Sequence, residues 1–231
     1  MKTIQGVLWD NDGVLVDTEQ LFYEANRDLL LPYGIELTPK QFFDWFLDNN
    51  YGAWHVLLGQ GHSIELVERL RAERKQLFAA RLRQARQLAM PGIAPVLAAL
   101  RPHVAMGVVT SAYEEHFRIS HAATGLLNHF DFVLTREMYG ASKPAPDGYQ
   151  LGLQRLGLAA GDCVAVEDSP RGLRAANAAG LECIIVRNHM NRDHAFDGAF
   201  CVVDSNAELG EVLASFVPGV ARARRQLEVF L

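Results

Sequence analysis

Cysteine is scarce in this chain of 231 residues, which has only Cys163, Cys183 and Cys201. Each lies in or beside an apolar run, where a free thiol packs as a small hydrophobe, so buried reduced thiols are expected rather than a disulfide framework. Positive charge is also short: 22 Lys and Arg against 27 Asp and Glu leave a formal charge of -5. That balance excludes the broad basic field that a nucleic acid or an anionic membrane surface would need. Long hydrophobic runs are missing as well. The first apolar stretch is broken by Asp10, too early for a signal core or a membrane span, and the expectation is a cytoplasmic enzyme. Repeats and low-complexity tracts do not occur. What remains, 49% apolar and 21% charged residues, is an ordinary globular composition, and the length suits one large domain or one domain with an insert.

The apolar residues come in short runs: Gly6–Trp9, Val104–Thr110, Phe130–Leu134, Cys163–Glu167, Cys183–Val186 and Phe200–Val203. They are too continuous for strands with one wet face, and helical patterns separate the later ones, at Ile93–Leu100, Glu114–Leu127, Pro146–Leu156, Arg171–Ala179 and Asn206–Phe216. Strands joined by helical crossovers predict an α/β fold, a doubly wound parallel sheet covered on both faces. Residues 17–90 read differently. They offer no convincing strand, but helices at Glu19–Leu31, Pro39–Phe46, Trp54–Leu58 and Ser63–Ala89, the last with Leu66, Leu70, Leu77 and Leu82 on an apolar stripe. The prediction is an all-helical domain (17–90) inserted into a sheet domain (1–16 and 91–231), with Pro91-Gly92 marking the return. The stretch Val220–Leu231, with Arg222, Arg224 and Arg225, reads as a solvated amphipathic helix.

In a parallel sheet ligands bind beyond the carboxyl ends of the strands, so the residues that follow each run matter most. They are Asp10 and Asp12, then Thr110 and Ser111, then Lys143 in "GASKPAPDGY", then Glu167 and Asp168 in "VAVEDSPRG". Singly each has a plain explanation; Ser169-Pro170, for instance, is a helix cap followed by proline at the first helical position. Together, four carboxylates at one sheet end require a cation, and oxygen-only ligands suit a hard divalent ion such as Mg2+. An exposed, coordinated Asp10 could attack phosphorus, and Asp12, across a sharp turn at Gly13, could protonate the leaving oxygen and later deprotonate water. Thr110, the amides of Ser111 and Ala112, and Lys143 would hold phosphoryl oxygens.

These residues resemble the motifs of the haloacid dehalogenase superfamily of hydrolases, in the subgroup similar to beta-phosphoglucomutase and the small-metabolite phosphatases. The matching residues are Asp10-Asn11-Asp12-Gly13, Thr110, Lys143-Pro144, and Glu167-Asp168-Ser169 with Gly172 and Asn177 to Gly180, in order along essentially the whole chain. The resemblance implies Asp10 as nucleophile and metal ligand, and Asp12 as acid/base with its carbonyl on the metal. It further implies Glu167 and Asp168 as completing a Mg2+ site, Lys143 as a bridge between phosphoryl group and Asp10, and the helical insert as a cap hinged near Leu15–Thr18 and Ala89–Gly92. The implied activity is a Mg2+-dependent phosphatase for a small phosphorylated metabolite.

Four alternatives are weighed against it. A phosphosugar mutase must grip a second phosphate, yet the place of the mutases' cap histidine falls on or beside Phe22, and Phe46–Gly52 holds no Lys or Arg. A dehalogenase needs no second Asp, so Asp12 argues against it. Phosphonate cleavage needs an imine-forming lysine, and neither Lys40 nor Lys75 stands out. A silent binding or regulatory protein is the reading from another class. On the cap, Asn49, Asn50, Tyr51, Trp54 and His55 are the candidate substrate contacts. Their lack of positive charge suggests a neutral leaving group, a sugar or polyol carrying one phosphate. Asn11 is read as neutral, facing solvent or a neighbouring loop, and Trp9 as core.

Overall fold

The computed structural model describes residues 3–217 and 219–220. The helix expected around Arg222, Arg224 and Arg225 lies outside them. All six apolar runs form strands: β1 (Gly6–Trp9), β2 (Ala105–Val109), β3 (Phe132–Leu134), β4 (Cys163–Glu167), β5 (Glu182–Val186) and β6 (Cys201–Val203). They pair in parallel in the order β3-β2-β1-β4-β5-β6, with Trp9 of β1 level with Val108 of β2 and Val166 of β4. The sheet is therefore doubly wound, with β1 at its centre and the order reversing there, which opens a crevice at its carboxyl end.

Side-chain alternation explains why β1 has no polar face. Val7 and Trp9 point into one core with Ile93, Val96 and Leu97 of α5 (Ile93–Leu100) and Leu209 and Leu213 of α9 (Asn206–Phe216). Leu8 points into another, with Tyr149 of α7 (Asp147–Leu156) and Leu173 and Ala176 of α8 (Pro170–Ala178). A strand buried on both faces reads as one apolar run. Cys163 and Cys183 are buried and Cys201 less so.

Between β1 and β2 the described chain is helical: α1 (Glu19–Leu30), α2 (Pro39–Phe42) running into a π-helical turn (Phe43–Asp48), α3 (Trp54–Gly59) and α4 (Ile64–Gln84). A capping box at Thr38 and Gln41 starts α2, with Pro39 at its first position and Lys40 exposed in its first turn. These helices have their own core, in which Phe42 stacks on Phe46 at 5.2 Å beside Tyr23, Leu57 and Leu70. A smaller cluster of Val16, Ala25, Phe78, Leu82 and Leu88, with Ile119 of α6 (Glu114–His121) against it, ties them to the sheet layer.

Two helices end earlier than the periodicity predicts. Helix α4 stops at Gln84 instead of Ala89, because the next residues must cross back beside the first strand: Asp17 N donates to Leu88 O (2.7 Å) and Met90 N to Leu15 O (2.9 Å). Helix α6 stops at His121 instead of Leu127, where Gly125, at φ 70°, opens a 3-10 turn over Leu126–His129. Apolar spacing continues through both breaks, so periodicity alone could not reveal them.

Leu97 is wholly buried between α5 and the sheet. Leu97→Ala should lower the unfolding free energy by about 2–5 kcal/mol, read from urea denaturation; a loss under ~1 kcal/mol would mean the core beneath β1 is not packed as described.

Candidate active site

The carboxyl ends of β1, β2 and β4 bring the predicted site residues together. After Trp9 the chain stays in register long enough for Asp10 N to donate to Val166 O (2.9 Å), then folds into a tight turn in which Leu15 N and Val16 N donate to Asn11 O (2.8 and 3.1 Å). Gly13 carries the turn at φ 78°, and a Cβ there would stand 2.0 Å from an Asp168 oxygen. Only glycine meets both conditions.

Lys143 lies at the middle of the group. Its Nζ donates to Asp10 Oδ1 (2.7 Å), Glu167 Oε1 (2.6 Å) and the carbonyl of Val109 (2.9 Å), using all the donors of an ammonium. Burial alone would lower its pKa, but the charges of Asp10 and Glu167 outweigh that and hold it above the usual lysine range. Glu167 is fully buried and also accepts from the Tyr149 hydroxyl (2.7 Å); desolvation, then the Asp10 charge, raises its pKa despite Lys143. At Gly172 a Cβ would lie 2.0 Å from the Glu167 carboxyl, so α8 begins against this side chain without room for any other residue.

The Asp12 carboxylate points elsewhere. The Thr18 hydroxyl donates to it, Thr110 Oγ1 approaches at 3.4 Å, and burial followed by the Asp10 charge raises its pKa. A carboxyl raised in this way is suited to carry a proton. The Thr110 hydroxyl, expected to face phosphate, instead accepts from Ala112 N (2.9 Å). Ser111 lines the cleft with a buried hydroxyl that has no partner among the described residues.

One ligand oxygen from each of Asp10, Glu167 and Asp168 falls within 4.8 Å of the others. The group could bind a divalent cation, and its oxygen-only donors fit a hard one. On the side away from Lys143 the acids crowd one another: Asp168 is raised well above its ordinary range by burial and then by Glu19, and Glu19 is raised to about 7, chiefly by burial.

A cleft of about 580 Å³ opens above these acids, between the sheet ends and the helical segment. Of the candidate cap residues, Asn50, Tyr51 and Trp54 line it. His55 is not part of the lining; it bonds Gly52 O (3.1 Å) and sits edge-on to Trp45 and Tyr51. The expectation of a wall poor in positive charge needs correction. The loop after the π-helical turn has no cation, but Arg71, Arg74 and Lys75 of α4 and Arg136 and Arg171 also line the cleft. Beside its leucine stripe the Arg and Glu residues of α4 read as a solvent-facing side; the spacing of Arg71, Arg74 and Lys75 with Phe78 places three cations on one face.

Other residues were not among the site candidates. Thr18 and Glu19 follow the turn, and Asn188 follows β5, bonding Asp168 (2.9 Å) and Glu19 (3.0 Å). The strand-end rule applied to β5 would have found Asn188. Asn11, read as neutral, is fully buried, and its Oδ1 accepts from Nε2 of His121 (2.7 Å), whose Nδ1 meets the Thr124 hydroxyl (3.0 Å). This pair anchors the turn between the two aspartates to α6.

The model of the haloacid dehalogenase-like hydrolases matches residues 7–186, which span every strand end just described except that of β6. The chain belongs to this family. The hydrolase is also 30% identical to Protein CbbY of Cereibacter sphaeroides over 230 residues, covering 90% of this chain and 94% of the relative. It is 26% identical to the fructose-1-phosphate phosphatase YqaB of Escherichia coli K12, covering 79% and 96%. Among solved structures, a variant of CbbY from Rhodobacter sphaeroides in complex with xylulose-(1,5)bisphosphate superposes with a TM-score of 0.75 at 27% identity, covering 90% of this hydrolase and 97% of that chain.

The Asn11–His121 pair has a measurable consequence. Burial lowers the His121 pKa from 6.5 to about 4. The unfolded chain thus takes up this proton before the folded hydrolase does, so the contribution is complete above pH 6.5 and is lost as pH falls towards 4. Between pH 7 and 4.5 the parent should lose up to about 3 kcal/mol more stability than His121→Gln, measured by urea denaturation. Equal pH slopes would show that this ring is not held neutral.

Proposed function

We propose that this hydrolase is a Mg2+-dependent phosphatase that cleaves the phosphomonoester of a small phosphorylated sugar or related metabolite through an aspartyl-phosphate on Asp10. The observation that carries the reading is the placement of Lys143 Nζ on Asp10 (2.7 Å), next to a carboxylate group able to hold a divalent cation. Such an arrangement fits a nucleophile that must meet a phosphate dianion, because both are negative and positive charge has to stand between them. The names of YqaB and of other relatives, such as the phosphorylated carbohydrates phosphatase of Thermotoga maritima, support sugar phosphates as the substrate class.

In this reading an Asp10 oxygen attacks phosphorus, the ester P–O bond breaks, and the leaving oxygen takes a proton from Asp12. Asp12, now a carboxylate, accepts a proton from water; the water oxygen attacks phosphorus, the Asp10–phosphorus bond breaks, and phosphate leaves. Lys143 supplies positive charge beside the phosphoryl group through its bond to Asp10, and the Ser111 hydroxyl holds a phosphoryl oxygen. Asp10, Glu167 and Asp168, with the main-chain carbonyl of Asp12, would hold Mg2+, which when bound supplies charge to the phosphoryl oxygens. Residues 17–90 act as a cap that excludes water, with hinges near 15–18 and 89–92.

With Mg2+ and a panel of sugar phosphates, phosphate should appear in solution. Asp10→Asn should reduce the rate by about 10⁴-fold or more, and chelation by EDTA should abolish it until Mg2+ is restored. Release that survives in Asp10→Asn would sink the covalent mechanism. Phosphate recovered on the same sugar would make the protein a mutase, and inactivity across the panel would favour a binding protein.

A further inference from the structure

The turn between Asp10 and Asp12 is tied to a helix that the phosphatase reading leaves unused. Helix α6 ends at His121, whose buried ring meets Asn11 Oδ1 through Nε2 at 2.7 Å. The amide oxygen can only accept, so Nε2 carries the proton. The bare Nδ1 then accepts from the Thr124 hydroxyl (3.0 Å), whose own oxygen accepts from Leu126 N (3.3 Å). Burial keeps the ring neutral, and Phe117 lies against it at 4.5 Å between ring centres. The imidazole is a donor locked in one tautomer. With its oxygen on His121, the Asn11 amide turns Nδ2 towards the Asp12 carboxyl; burial and then Asp10 raise the pKa of that group, while the Thr18 hydroxyl and the Asn11 amide draw it down. Nδ2 is itself buried with no acceptor at hydrogen-bond distance among the described residues. An apolar side chain would fill this position at lower cost, since a buried donor without a partner has lost its water and gained nothing. The main chain of Asn11 closes the turn, its carbonyl accepting from Val14, Leu15 and Val16 N (3.3, 2.8 and 3.1 Å).

We propose that His121 is a positioning residue for the proton transfer by Asp12: it fixes the Asn11 carboxamide, and that amide holds the Asp12 carboxyl on the Thr18 side of the turn, apart from Asp10. The proposal rests on the phosphatase reading and deepens it by assigning the groups that aim its acid. When Asp12 gives its proton to the leaving oxygen, the carboxylate left behind is buried, and the unbonded Nδ2–H stands beside it. This donor gains an acceptor only as charge develops on Asp12, so its effect falls on kcat rather than on KM. Without His121 the amide is free to rotate and present its oxygen to Asp12, where two acceptors repel.

Leaving groups of different basicity test this. A sugar alkoxide must be protonated as it departs, whereas the phenolate of p-nitrophenyl phosphate departs without a proton. With Mg2+, kcat/KM for either ester reports the step in which Asp10 is phosphorylated. His121→Leu should lower kcat/KM for the fastest sugar phosphate of the panel about 10- to 100-fold, through kcat with KM little changed, and that for p-nitrophenyl phosphate by no more than about threefold. His121→Gln, whose terminal N–H can stand where the Nε2–H stands, should turn over the sugar phosphate within about threefold of the parent. The double variant Asn11→Leu/His121→Leu replaces the pair by apolar groups; its Tm should equal or exceed that of the parent, and it should show the same selective loss. If His121→Leu does not fold, the double variant carries the comparison. Equal losses on both esters, no loss in the folded double variant, or His121→Gln as slow as His121→Leu overturns the proposal. If the parent turns over neither ester, the phosphatase reading fails, and crystal structures decide the positioning role: Asp12 displaced from Thr18 in the leucine variant upholds it, and an unmoved Asp12 ends it.

Discussion

The ammonium of Lys143 joins the ends of three neighbouring strands, through Asp10 beyond β1, the Val109 carbonyl of β2 and Glu167 of β4. Without it, two buried carboxylates on adjacent strands would face each other with no counter-charge, and loss of one partner of a buried pair costs about 3–5 kcal/mol. The sheet's central crevice can therefore collect acids only because a lysine from a loop enters it. Glu167 acts here more as the anchor of that lysine than as a free ligand. Its Oε1 is taken by Lys143 and Tyr149, and its second oxygen meets only longer contacts from Asp168 N and Ser169 Oγ (3.3 and 3.4 Å).

The two aspartates that open the site differ through their surroundings. Asp10 is held by a cation, whereas Asp12 is held by the Thr18 hydroxyl and by the burial that keeps its proton affinity high. Two identical side chains two residues apart thereby become suited to opposite tasks, one to give electrons to phosphorus and the other to move a proton. Thr18 begins the helical segment, so Asp12 is bonded to the very residue from which that segment departs.

Most of the sheet was legible because strands buried on both faces must be apolar throughout, and the chemistry was legible because α/β sheets present their polar residues at the strand ends. Asp10, Asp12, Glu167 and Asp168 stand at the strand ends where that rule looks, and Lys143 reaches them from the loop beyond β3. What escaped depends on contacts distant in sequence. Asn11 looked like a solvent residue until His121, 110 positions away, supplied its partner. His55 looked like a cleft residue because of its polar neighbours, yet it packs on Trp45 and Tyr51. The charge of the cleft was misjudged because the loop nearest in motif terms is neutral, while the arginines come from a helix whose facing side only its packing against α1 decides. Local pattern specifies which face of a helix is apolar; it does not specify what the remaining faces look at.

The π-helical turn Phe43–Asp48 hands its last residues to α8. Arg174 grips Asp48 at 2.7 Å, and Arg171 reaches Asn50 at 2.9 Å. Helix α8 is the same helix whose first turn is seated on Glu167 through Gly172. The helical segment is thus gauged directly from the piece of backbone that carries the acids, as two jaws of a vice are cut from one casting. A shift of α8 carries Asp48, Asn50 and the seat of Glu167 together, which ties the height of the cleft above Asp10 to the strand end that bears the acids.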